Sequence, residues 1–77
     1  MEYKDIGDVN GHPWNKVTLV RHASRSYTAE GSWCTGHNSS GQYYRRYKEN
    51  KADVEFRETY WYFENEEDAT LFALKFK

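Results

Sequence analysis

An α+β fold is predicted, a small ferredoxin-like split βαβ sandwich with an antiparallel sheet and its helices on one face, and three observations predict it. Residues 54–63 (VEFRETYWYF) alternate as a strand, with Thr59, Trp61 and Phe63 on one face and Val54, Phe56, Tyr60 and Tyr62 on the other. Both faces carry apolar or aromatic groups, so this strand is expected at the centre of the sheet. Residues 65–68 (NEED) then open a helix: Asn65 suits the capping position, and three carboxylates fall in the first turn, where the helix dipole favours negative charge. Finally, a strand, a helix and another strand can be drawn ahead of that pair.

Taken in order, residues 1–16 (MEYKDIGDVNGHPWNK) contain Gly7, Asn10-Gly11 and Pro13 and read as a turn-rich arm, with Tyr3, Ile6 and Trp14 available to pin it down. Residues 17–77 form the α+β core of the single domain. Residues 17–22 (VTLVRH) are β-branched and apolar, suited to a buried strand. In residues 23–37, Ser26 or Thr28 can cap a short helix carrying Ala29, Trp33 and Cys34 and closed by Gly36. Residues 38–41 (NSSG) are a loop. Residues 42–47 (QYYRRY) form the next strand, with Tyr43, Arg45 and Tyr47 on one face and Gln42, Tyr44 and Arg46 on the other. Residues 48–53 (KENKAD) are polar and should join this strand to the next as a hairpin. After the final helix begins, Ala69 and Phe72 share one face. Residues 73–77 (ALKFK) can continue the helix or form a short last strand with Leu74 and Phe76 inward; the strand is the preferred reading.

Seventy-seven residues make one domain, near the size at which a single core is only just sufficient. Mean hydropathy is −1.09, yet 18% of residues are aromatic, so Trp, Tyr and Phe must build most of the core. A single cysteine, Cys34, excludes an internal disulfide and fits a reducing compartment. No leader-like or membrane-spanning run is visible, so the cytoplasm is expected and a membrane partner is not. The net charge of −1 conceals segregation: residues 1–15 carry −2, residues 16–51 carry +5 and residues 52–77 carry −4. Cross-strand pairing of Arg45 and Arg46 with Glu55 and Glu58 would neutralise part of it.

The closing segment, residues 61–76 (WYFENEEDATLFALKF), resembles the C-terminal signature of small uncharacterised proteins of tailed bacteriophages: an aromatic strand, an acidic Asp-Ala helix start and a Phe-x-Leu-Lys-aromatic ending. The Trp33-Cys34 pair also recurs in such proteins. The resemblance implies a phage origin, hence the cytoplasm of an infected bacterium, and assigns no chemistry.

Two motifs invite enzymatic or metal readings. Residues 18–23 (TLVRHA) resemble the strand end of histidine phosphatases, where the His accepts the phosphoryl group and the Arg binds phosphate. That chemistry also needs a second His, a second Arg and an acid, on a much longer domain. Cys34 and His37 have C-x-x-H spacing, but His12 and His22, the other ligands a zinc site would need, are isolated in sequence. No glycine-rich phosphate loop is present. A non-enzymatic protein with no cofactor is therefore expected.

Binding surfaces are better represented. Tyr43, Tyr44, Arg45, Arg46 and Tyr47 interleave aromatic platforms with cations, as in single-stranded nucleic-acid binders and in protein interface hot spots. A pI of about 6.3 and the acidic strand that follows argue against nucleic acid. Tyr60 and Tyr62 are candidates for an open sheet face. Glu66 and Glu67 cap a helix and could also engage a basic groove on a host protein. The expected function is an accessory protein that binds and modulates a host or phage protein, with single-stranded nucleic-acid binding as the alternative.

Overall fold

A computed structural model describes residues 1–48 and 55–77. Its elements are β1 (Glu2–Tyr3), β2 (Asn15–His22), α1 (Thr28–Gly36), β3 (Gln42–Tyr47), β4 (Phe56–Phe63) and α2 (Glu66–Phe76). The four strands form one sheet in the order β1-β3-β4-β2. β4 is antiparallel to both β2 and β3, whereas β1 runs parallel to β3.

The α+β class and the central position of residues 56–63 are as the sequence predicts. Because β2 and β3 both run antiparallel to β4, they are parallel to each other, with α1 between them in the chain. Two parts of the expected architecture are corrected. The sheet is mixed, because residues 2–3 of the arm add a strand beside β3. No last strand forms: α2 continues to Phe76. Helical spacing explains this, since the helix buries Ala69 and Phe72 and lays Ala73 and Phe76 against the same core. A strand would have turned Leu74 inward; in the helix it is 79% exposed. The hairpin predicted at residues 48–53, and Val54, lie outside the described residues, apart from Lys48.

The helices cover the face that carries Thr59, Trp61 and Phe63. Phe72 is fully buried and packs on Trp61 (ring centroids 5.0 Å apart) and Phe63 (4.9 Å). Trp33 of α1 meets the same ring at 5.6 Å. Val17, Leu19 and Cys34 complete this core. Fully burying such side chains contributes about 1.5–3 kcal/mol each, so a few large rings serve where aliphatic residues are scarce.

Helix starts differ from expectation in detail. Asn65 is the N-cap of α2, but its side chain makes no capping bond; its Nδ2 instead donates to Asp68 Oδ2 (3.4 Å). Tyr27, not Ser26 or Thr28, precedes α1, again without a side-chain cap. The Thr28 hydroxyl donates to Ser26 Oγ instead (3.3 Å).

On the opposite face, Tyr44 and Tyr62 stack at 6.0 Å and remain only 9% and 6% exposed. Residues 4–14 must run from the β1 edge to the β2 edge, and Ile6, Val9, His12 and Trp14 within them are half-buried. Tyr3 of β1 packs on Tyr44, with ring centroids 5.8 Å apart. The far half of that face stays open around Val20 and Phe56, which are 51% and 56% exposed.

Candidate functional site

Strand alternation divides the aromatic and basic run of β3 between two faces of the sheet. Tyr43, Arg45 and Tyr47 lie on the helix side, level with Phe63, Trp61 and Thr59 of β4, while Tyr44 and Arg46 lie on the other side with Tyr62 and Tyr60. The five residues therefore do not make one surface. Glu66 and Glu67 are exposed at the start of α2, beyond the end of β4 where Phe63 lies.

What the fold assembles instead is a groove of about 910 Å³ between α1 and β3. α1 contributes Thr28, Gly31, Ser32 and Thr35, which recur at helical spacing and form one small, hydroxyl-rich face. β3 contributes Tyr43, Arg45 and Tyr47. The turn after β2 contributes Arg25 and Tyr27, and β4 contributes Arg57. Three guanidinium groups thus line the groove, and among the described residues no carboxylate does. Tyr43 is pinned by the Thr35 hydroxyl, 3.2 Å from its own.

Of the three arginines Arg45 is the least exposed, its guanidinium carbon 5.0 Å from the Tyr47 ring centroid and 5.5 Å from that of Trp61. Cation–π contact on two rings orients the fork without neutralising it. Among the described residues neither Arg45 nor Arg46 forms an ion pair with Glu55 or Glu58: Glu58 shares its face with Arg46 but lies 3.7 Å from Lys48 Nζ and accepts a hydrogen bond from the Tyr60 hydroxyl at 2.8 Å. That bond raises the Tyr60 pKa, and burial raises that of Tyr62 against the opposing charge of Arg46. Glu58, the one acid of β4, therefore does not screen the groove.

The other motifs come apart in the fold. Arg21 and His22 point to opposite faces of β2, the former donating to the carbonyls of Val20 and Phe76, the latter paired with Ser24 Oγ at 2.7 Å. They cannot converge on one phosphoryl group. Cys34 is fully buried, which pushes its thiol up to about 12, away from reactivity. His37 stacks on Trp33 (4.6 Å) and meets Asp68 Oδ1 at 3.3 Å, while His12 packs on Trp14. Among the described residues no cluster of His, Cys, Asp or Glu could hold a metal ion, and no helix is long and apolar enough to cross a membrane.

Sequence reasoning finds Tyr43, Arg45 and Tyr47 but misses Arg25, Tyr27 and Arg57. Each is isolated in sequence, and only the small polar spacing of α1 hinted at a helix face left uncovered. No family model, no curated protein and no solved structure matches this chain.

Proposed function

We propose that this chain is a non-enzymatic accessory protein of a tailed bacteriophage that binds and modulates a host or phage protein in the cytoplasm of the infected bacterium. Its binding surface in this reading is the groove between α1 and β3. The phage assignment rests on the closing segment, and the β2–α1–β3–β4–α2 portion is taken as a ferredoxin-like split βαβ unit without its last strand. One observation carries the binding role: three guanidinium groups and three tyrosines share a solvent-open groove with no lining carboxylate among the described residues. Tyr and Arg are the residues that most often anchor protein interfaces, and uncompensated cations favour an acidic partner. The immobilised protein should capture a stoichiometric partner from infected-cell lysate, lose it with Arg25→Glu/Arg57→Glu, and keep it with Glu66→Gln/Glu67→Gln. A folded bait that recovers nothing rejects the reading.

Single-stranded nucleic acid is the second reading, favoured by the placement of Glu58 away from the groove, which removes the repulsion that its sequence position suggests. It requires salt-sensitive binding of a labelled thymidine oligonucleotide that the same Arg25→Glu/Arg57→Glu variant abolishes.

A further inference from the structure

The backbone of β3 adds something that side-chain chemistry does not reveal. Glu64 N–H donates to Gln42 C=O (3.0 Å) and Lys48 N–H donates to Glu58 C=O (3.1 Å). In an antiparallel ladder such pairs recur at every second residue, so Gln42, Tyr44, Arg46 and Lys48 exchange hydrogen bonds with β4. Tyr43, Arg45 and Tyr47 consequently present their backbone groups outward. β1 meets this outer edge only at its beginning, pairing with Gln42 and Tyr43, and Lys4 N–H donates to Tyr43 C=O at 2.9 Å. The chain then leaves the edge: Asp5 Oδ1 accepts from Gly7 N–H, and Gly7 adopts a φ of 65° that favours glycine. Beyond Lys4 the lane beside β3 is vacant among the described residues. The Tyr3 hydroxyl, 3.4 Å from Arg45 C=O, is the last of β1 to reach it.

We propose that an extended, acidic peptide segment of a partner protein adds to this lane as a strand, in line with β1, and pairs with the outward backbone groups of Arg45 and Tyr47. The inference rests on the protein-binding reading and specifies its geometry. Strand addition draws affinity from main-chain hydrogen bonds and specificity from alternate side chains. Here every second side chain of the added strand would face the groove, between α1 and the guanidinium groups of Arg25, Arg45 and Arg57. Those positions call for Asp or Glu. The opposite edge of the sheet, β2, also presents outward amides at Thr18 and Val20, since Ala23 N–H donating to Glu55 C=O places the odd residues of β2 in the ladder with β4. The arginine-lined groove takes three of its side chains, Tyr43, Arg45 and Tyr47, from β3 and only His22 from β2, so β3 is the edge with both backbone and charge complementarity.

The test uses peptides selected from a random library on the full chain, with a thymidine oligonucleotide as competitor. Selected peptides should carry acidic residues at alternate positions, lack proline, and slow hydrogen exchange at the Arg45 and Tyr47 amides. Tyr47→Pro removes one outward N–H without touching the ladder to β4. It should weaken binding about tenfold beyond Tyr47→Ala, which removes only the ring; a folded-state spectrum of each variant accompanies the comparison. Equal affinities for the two variants, protection at Thr18 and Val20 instead, or protection of Arg45 and Tyr47 by the oligonucleotide alone would overturn the proposal. Peptides that bind the open face around Val20 and Phe56 would overturn strand addition and leave the protein-binding reading standing.

Discussion

Arg45 and Trp61 face each other across the β3–β4 ladder, with the guanidinium carbon 5.5 Å from the indole centroid. This contact joins the core to the groove: the indole is fully buried, whereas the cation is only half so. Arg45→Ala should therefore lower stability as well as binding, by about 1 kcal/mol, or about 4–8 °C in Tm for a domain of this size. Arg45→Lys, which keeps the charge but not the planar fork, should recover only part of the loss in a thermal melt followed by near-UV circular dichroism.

Phe72 packs on Trp61, Phe63, Trp33 and Phe76. Truncation to Ala should cost about 3–5 kcal/mol. Stability of about 4–12 kcal/mol is usual for a chain of this length, so chemical denaturation should show a protein near its unfolding threshold. Leu74→Glu, on the exposed side of the same helix, should fall within about 0.5 kcal/mol of the parent. A large loss at Leu74 would contradict the helical course of residues 73–76.

The Cys34 thiol, ordinarily near 9.0, is held up to about 12 by burial. Between those values the unfolded chain releases this proton and the folded chain keeps it, so stability falls as pH rises through that window and is unaffected by this group below it. Alkaline unfolding should begin at higher pH in Cys34→Ala once stability differences at neutral pH are subtracted. In the native state at pH 8 the thiol should resist a disulfide reagent that modifies it fully in denaturant.

Asp68 gathers the loop before β3: its Oδ2 accepts from the Ser39 hydroxyl at 2.7 Å, and its Oδ1 lies 3.3 Å from His37 Nε2. Gly41 is pressed against this cluster, because a Cβ there would stand 2.8 Å from Asp68 Oδ2 and 2.7 Å from Asn65 Nδ2. Asp68→Ala should cost about 2–3 kcal/mol and Gly41→Ala about 1–3 kcal/mol. Their double variant should lose less than the sum, since Asp68→Ala removes part of the clash. Additive losses would show that the two sites are independent.

Glu30 is 1% exposed on α1, and neither carboxylate oxygen has a hydrogen-bond partner among the described residues. Burying a carboxyl group without partners is costly. Glu30→Met, of similar volume and helix propensity, should raise stability by about 1–3 kcal/mol, read as an increase in denaturation midpoint at unchanged slope. A decrease would mean that the carboxylate has a role that packing does not show.

The local elements are legible in the sequence because periodicity records which side of a strand or helix meets apolar neighbours. Residues 42–47 and 56–63 alternate as strands, and Trp61, Phe63 and Phe72 fall on the buried side without any knowledge of the sheet order. Residues 73–77 were ambiguous for the same reason: Phe76 points inward in either conformation, and only the position of Phe72 under Trp33 and Trp61 makes the helix the better fit. The tertiary structure alone decided that residues 2–3 join the sheet, since two residues carry no period. It also decided that Tyr43 and Arg45 face α1 while Tyr44 and Arg46 turn away, and that Arg25 and Arg57 come to the same groove. Strand pairing brings together residues far apart in the chain, and a groove with a vacant edge exists only once the strands have neighbours.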